Sequence, residues 1–316
     1  MTYPLLEPAV FDADVFTELP ESLRRPNATS YWATRNKRGA TVDSFIEGPS
    51  FDRDGNLYFV DIPFGRIMRA DPVGNVSQIA EYDGQPNGLK IHKDGRIFIA
   101  DFQNGIMQLD PKTGEVKTVL KDCDSEGFKG CNDLHFGPDG SLYFTDQGQT
   151  GLHDPTGRVY RWQPETGELT CLIDTAPSPN GLVLDVNSHV LYLAVTRANA
   201  VWRLPLSESG RVNKAGLFLQ FNGGRAGPDG LALTAQNGVV VCQTGMGLVW
   251  IHDNLGRPIA IVRSPQGLGT TNCAFGGKGL RTLFITESDT GTILKVEFPE
   301  DLNISGYPMY SGYLGS

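Results

Sequence analysis

The chain is short of most features that would give its chemistry away directly. Five cysteines (Cys123, Cys131, Cys171, Cys242, Cys273) stand 8, 40, 71 and 31 residues apart, with no CxxC pair. Neither a disulfide framework nor a thiolate zinc site fits that spacing. Five scattered histidines form no HExxH, and no apolar run approaches the ~20 residues of a membrane helix. Basic runs are also missing: 27 Lys and Arg stand against 36 Asp and Glu, a net charge of −9, which argues against nucleic-acid binding and leaves no membrane-binding patch. The first residues, Met1-Thr-Tyr-Pro-Leu-Leu-Glu7, have neither a basic region nor an apolar core, so a reducing, cytoplasmic location is expected. What the chain does have is glycine, 38 in 316 residues. Excess glycine without a collagen period points to many tight turns between short strands.

Those turns recur. Asp54-Gly55-Asn-Leu-Tyr-Phe-Val-Asp61 returns as Asp94-Gly95-Arg-Ile-Phe-Ile-Ala-Asp101 and as Asp139-Gly140-Ser-Leu-Tyr-Phe-Thr-Asp146, with weaker copies at 187–194, 236–242 and 280–287. Aligned on Tyr58, Phe98, Tyr143, Tyr192, Val240 and Phe284, the six units step by 40, 45, 49, 48 and 44 residues. Each unit reads as four strands; in the second these are 88–92, 96–100, 105–110 and 115–120, with Asp94-Gly95 as a hairpin signal. No helical periodicity extends over twelve residues, and only 20–25 suggests a helical turn. The expectation is an all-β chain, a six-bladed β-propeller of four-stranded blades. A solenoid is the competing repeat fold, but the last unit runs out of strands after Glu297. An N-terminal strand, from Val10–Leu19 or Thr41–Ile46, would supply the missing one and close the ring. The expected organisation is one domain over 1–316, with 1–45 as extension and closing strand and 298–316 as a tail.

Eight residues before each turn position stands a polar side chain: Glu47, Asn87, Asn132, Asn180, Asp229 and Asn272. These residues open the first strand of each unit, which in a propeller lines the central channel, so all six aim at one end of the axis. Any one of them alone reads first as a turn residue. Together they form an oxygen-only donor set with two carboxylates among amides, the chemistry of a hard cation such as Ca²⁺. Asp61, Asp101, Asp146 and Glu287, which end second strands, read as structural hydrogen-bonders. Cys131 and Cys273 read as packing residues. Asp133 reads either as a support orienting Asn132 from beneath or as a strand-turn residue.

Glu47-Gly-Pro, Asn132-Asp, Pro179-Asn-Gly-Leu and Pro228-Asp-Gly-Leu, in this order and spacing, resemble the gluconolactonase / senescence-marker-protein / luciferin-regenerating-enzyme family, the regucalcin-like enzymes, over about residues 45 to 297. Thr271-Asn-Cys-Ala-Phe-Gly-Gly fits the same resemblance. It implies a catalytic divalent cation, Ca²⁺ first, with Zn²⁺, Mn²⁺, Mg²⁺ and Fe²⁺ as alternatives. The ligands would be Glu47, Asn180 and Asp229, with Asn132 joining them or contacting substrate. It also implies hydrolysis of a small-molecule lactone, the cation polarising the carbonyl and Asp229 acting as general base. Asn87 and Asn272 are then either supports behind the ligands or substrate contacts, Arg225 is a further candidate substrate contact, and Arg197 and Asn199 lie in a loop that could sort substrates. Animal aldonolactone hydrolases of the family carry an Arg two residues before the motif Asn; here the position is Gly130. Gly130-Cys-Asn-Asp133 is similar instead to the branch with phosphofluoridate hydrolases, which makes a phosphotriesterase-type activity on the same site one alternative. A non-catalytic propeller platform is the other, without the Gly-His and Trp-Asp signature of such repeats.

Overall fold

The computed structural model describes residues 7–308. Within them, six antiparallel sheets follow one another along the chain. Blade 1 holds Ile46–Phe51, Leu57–Asp61, Arg66–Ala70 and Val76–Glu81, and blade 2 holds Pro86–Ile91, Ile97–Asp101, Gly105–Leu109 and Val116–Leu120. Blade 3 runs from Cys131–Phe136 to Leu169–Ala176, and blade 4 from Pro179–Leu184 to Gly216–Gln220. Blade 5 runs from Gly227–Leu233 to Pro258–Arg263; Thr270–Gly276, Thr282–Glu287 and Thr292–Glu297 form the inner three strands of blade 6. The inner strand of every blade contacts that of the next, and the sixth contacts the first. The ring is closed: this is the expected six-bladed β-propeller.

Closure comes from the first of the two candidate segments. Asp14–Glu18 pairs antiparallel with Thr292–Glu297 as the outer strand of blade 6. Ala9–Asp12 does something the repeat did not announce. It adds in parallel to the outer strand of blade 5, making five strands there, and Asp12 accepts two hydrogen bonds from Arg263 at 2.7 and 2.8 Å. One connection therefore staples two neighbouring blades. Residues 41–45 form no strand. Of the expected extension and tail, residues 1–6 and 309–316 lie outside those described; Phe298 and Ile304 are buried against blades 5 and 6.

The core fills the wedges between blades. Phe98 of blade 2 meets Phe136 of blade 3 edge to face at 5.4 Å, and Phe51 of blade 1 meets Phe284 of blade 6 at 4.9 Å. In blades 1, 2, 3 and 6 the carboxylate ending the second strand fastens the entry to the first. Asp61 accepts from the Phe45 amide at 2.7 Å, Asp101 from Gln85 at 2.8 Å, Asp146 from Gly130 at 2.8 Å and Glu287 from Gly269 at 2.8 Å. Each acceptor thus satisfies an amide at the entry to an inner strand that the ladder leaves unpaired.

Helical structure is confined to short pieces. Glu21–Leu23 is a 3₁₀ turn within the segment anticipated for one. An α-helix over Tyr31–Asn36 was not legible: six residues are too few for a period, and it is held by context. Ser30 caps it through Ala33 N, and Trp32 lies 4.7 Å from Phe45 between ring centroids. Among the described residues, no helix is long and apolar enough to cross a membrane.

Candidate active site

All six inner strands carry a register break at the polar position. The pairing with the second strand shifts between Glu47 and Ser50, Pro86 and Gly88, Cys131 and Leu134, Pro179 and Leu182, Pro228 and Leu231, and Thr270 and Asn272. A bulge bends its strand and re-aims the side chain at that point, here at the end of the channel.

The glycine after the polar residue has a separate cause. A Cβ on Gly48 would lie 2.6 Å from Asn87 O, and one on Gly181 would lie 2.4 Å from Asp229 O. On Gly230 it would lie 2.2 Å from Asn272 Oδ1. Inner strands of adjacent blades approach so closely near the axis that no side chain fits between them. The donor-glycine dipeptide is therefore one unit: the donor faces the channel and the glycine lets the next blade in.

A cavity of about 900 Å³ opens at this end, with Glu47, Asn87, Asn132, Asn180, Asp229 and Arg225 in its wall. Five of the six register residues line it; Asn272 does not. Asn272 is 2 % exposed and lies beneath, its Nδ2 donating to Glu47 Oε2 at 3.0 Å and to Asp133 Oδ2 at 3.2 Å. Its neighbour Thr271 lines the cavity instead. Asn272 is thus placed to support carboxylates rather than to touch a substrate, because the break in blade 6 falls one residue earlier relative to the strand.

Asp133 differs from the expectation in a similar way. Its oxygens take Leu134 N at 2.8 Å and Asn272 Nδ2, so it does not orient Asn132. That role falls to Gln147, whose Oε1 accepts from Asn132 Nδ2 at 2.9 Å while its Nε2 donates to Ser178 Oγ at 3.0 Å. Asn180 is fixed similarly. Its Nδ2 donates to Thr196 Oγ1 at 3.1 Å, and that hydroxyl's proton is committed to Pro228 O at 2.8 Å. Both amides are held by their nitrogens, which leaves their oxygens as the free donor atoms. Gln147 follows the repeated Asp146 directly, but nothing in the sequence marks it.

Three carboxylates crowd the axis. Burial, then the neighbouring Asp133 charge, pushes the Glu47 carboxyl up to about 7. Asp229 is raised well above the ordinary carboxylate range by desolvation and by the Glu47 and Asp133 charges. Lys37 opposes this only weakly at Asp229. Such an arrangement is electrostatically costly unless a cation is added, and the converging donors are all oxygens. Among the described residues no three His, Cys, Asp or Glu side chains form a chelating cluster by themselves; the donor set is complete only when the asparagines are counted. It fits a hard divalent cation.

The rim is built from segments the repeat does not include. Trp32, Asn36 and Lys37 line it from the short helix, Phe102 from blade 2, residues 147–153 from blade 3, and Arg197 from blade 4. Asn199 is turned away, its amide donating to Phe221 O and Gly223 O. Cys131 and Cys273 are buried.

Comparison with known proteins follows the same outline. Residues 45–289 match the SMP-30/Gluconolactonase/LRE-like region. Lactonase drp35 of Staphylococcus aureus (strain MRSA252) is 28 % identical over 245 residues, covering 74 % of this chain and 73 % of that protein. A gluconolactonase from Xanthomonas campestris superposes with a TM-score of 0.72 at 19 % identity, over 94 % of this chain and 99 % of that one. The calcium-binding protein regucalcin from Agrobacterium tumefaciens superposes with a TM-score of 0.73 at 22 % identity, over 95 % and 98 %.

Proposed function

The chain belongs to the SMP-30/gluconolactonase/LRE-like family, and from that premise we propose that it is a metal-dependent lactone hydrolase. The observation that carries this reading is the convergence of Glu47, Asn132, Asn180 and Asp229 on one cavity, with the amide nitrogens tied back and the carboxyls raised by burial and then by one another's charge. A divalent cation held by these four residues, Ca²⁺ in the first instance, would polarise the lactone carbonyl as a Lewis acid.

The remaining steps belong to the protein. Asp229 lines the cavity and is half-buried, so its carboxylate is accessible to both substrate and water. A water oxygen attacks the carbonyl carbon while an Asp229 oxygen accepts the water's proton. The ring C–O bond then breaks, and the same proton passes to the departing alkoxide, giving the open hydroxy acid. Glu47, with one oxygen tied to Gly48 N at 2.7 Å and to Asn272, is held rigidly and acts as a ligand. Asn87, half-buried in the cavity wall, is placed to contact substrate.

Two substitutions test the division of roles. Glu47→Gln lowers metal affinity, and activity returns as metal is added. Asp229→Asn keeps an oxygen donor but accepts no proton, so turnover falls by about 10²–10⁴-fold even at full metal occupancy. Bound metal and lactone turnover are measured together. Full activity in metal-loaded Asp229→Asn would remove Asp229 as the base, and a lactone panel without turnover in the metal-loaded wild type would remove the reaction class.

A further inference from the structure

The charges around the cavity mouth are unevenly matched. Asp289 and Lys37 lie 3.8 Å apart and offset each other. Across the ring, Arg197 and Arg225 also line the cavity, are exposed, and have no carboxylate partner among the described residues. This contrasts with Arg66 and Arg158, which are committed to Asp61 and Asp146. In a chain of net charge −9, two free guanidiniums on one rim form a local exception.

Both are held at their bases and free at their heads. Arg197 sits in the turn Thr196–Ala198, its Cγ 3.6 Å from where a Cβ on Gly151 would be. Arg225 Cβ lies 3.0 Å from where a Cβ on Gly245 would be. Both arginines come from segments outside the inner strands, Arg197 from the turn after the second strand of blade 4 and Arg225 from the stretch before the first strand of blade 5.

The facing wall carries two half-buried rings, Phe45 ahead of the first strand of blade 1 and Phe102 after the second strand of blade 2, with Trp32 and Ile62 buried behind them. In a six-bladed ring blade 1 stands opposite blade 4, which carries Arg197, and blade 2 opposite blade 5, whose entry carries Arg225. A cavity of about 900 Å³ is far larger than a bare lactone ring needs, being near the upper end for small-molecule sites.

We propose that the substrate is an amphipathic lactone, with an apolar body lying against Phe45 and Phe102 and a pendant carboxylate held by Arg197 and Arg225. This rests on the lactonase reading and names its substrate class. Guanidinium forks match carboxylates in geometry and charge, and no carboxylate side chain occupies them.

The test uses the metal-loaded enzyme and one aryl-substituted γ-lactone made as its pendant carboxylate and as the uncharged primary amide. The expected wild-type kcat/KM ratio of acid to amide is at least tenfold, since hydrogen bonds to a charged group change affinity by roughly ten- to hundredfold. In the Arg197→Gln/Arg225→Gln double variant the ratio falls tenfold or more. Arg257→Gln, which removes the same charge from an outer turn of blade 5, leaves the ratio where it was. A wild-type ratio near one with brisk amide hydrolysis overturns the inference and keeps the lactonase reading. A high ratio that survives in the double variant also overturns it, because the carboxylate is then held elsewhere. If no lactone turns over, the lactonase reading fails, and calorimetric binding of the same acid and amide decides the inference. Tighter binding of the acid that is lost in the double variant supports it; equal binding overturns it.

Discussion

Replacing Gly181 by alanine tests whether the axial architecture is as tight as the geometry requires. A Cβ there would lie 2.4 Å from Asp229 O, 2.7 Å from Gly230 Cα and 2.8 Å from Leu231 N. All three are backbone atoms of blade 5, so no side chain can rotate away. Carbon contacts settle at ~3.5–4 Å, and relief therefore requires the inner strands of blades 4 and 5 to separate by roughly 1 Å. Forced overpacking of this kind costs about 1–3 kcal/mol. With an unfolding entropy of about 2 cal/mol/K per residue, a chain of this length loses roughly 2–5 °C of melting temperature. The functional loss should exceed the loss of stability, because the strand pushed away carries Asp229. A shift of about 1 Å at a catalytic group costs on the order of 10²-fold in turnover. Gly216→Ala is the control: Gly216 lies on the outer strand of blade 4 with nothing within 4 Å of its added methyl, and it should change neither quantity appreciably. Calorimetry and lactone turnover on the three proteins decide the matter. A Gly181→Ala protein as stable and as active as Gly216→Ala would refute the close-approach argument.

The crowded carboxyls set a pH dependence in chelator-treated protein. Glu47 holds its proton up to about 7 when folded but releases it near 4.5 when unfolded, so native stability falls as pH rises through that window. The urea midpoint should be higher at pH 5 than at pH 8, with a smaller difference in Glu47→Gln; an equal difference in that variant removes the assignment. Added Ca²⁺ should raise the pH 8 midpoint, by about 2.7 kcal/mol of stability at a hundred times its Kd, and no rise would count against a cation on the axis. Gln147→Met removes the acceptor that orients Asn132 and should weaken metal binding by about 10–100-fold. Unchanged affinity by titration calorimetry would show that Asn132 needs no such support.

The fold was readable because every unit states the same local rule. Asp-Gly turns, a β-forming strand and a terminal carboxylate recur in register, and superposing copies cancels the noise of any single one. Ring closure by Asp14–Glu18 followed only as a choice between two segments, because an outer strand is half-exposed and weakly patterned. The parallel strand Ala9–Asp12 had no signal at all: pairing across blades depends on where blade 5 ends in space. In the site, Glu47, Asn87, Asn132, Asn180 and Asp229, singled out by periodicity, all line one cavity. Of the two roles open to Asn272, support or substrate contact, the structure gives the first, because the register break in blade 6 falls one strand position earlier, which counting from a turn does not detect. The support of Asn132 falls to Gln147 instead of Asp133 for a related reason. Adjacent side chains on a strand face opposite ways, so Asn132 and its sequence neighbour meet different partners.

These successes and failures follow one physical division. The floor of the site is made by the six-fold element, where each blade contributes a bulge and a donor, and blades 1, 2, 4 and 5 follow the donor with a glycine that admits the next blade. Changing any one of them disturbs the neighbouring blade, as Gly230 against Asn272 illustrates. The rim is made by the helix at Tyr31–Asn36, residues 147–153 and the segments bearing Arg197 and Arg225, and these obey no shared rule. Loops of this kind tolerate change without opening the ring. A common floor can therefore keep one reaction type while the rim selects the molecule that undergoes it. The aromatic wall opposite two free guanidiniums is the part of this chain in which its own substrate should be written, and it is the part that repeat analysis cannot reach.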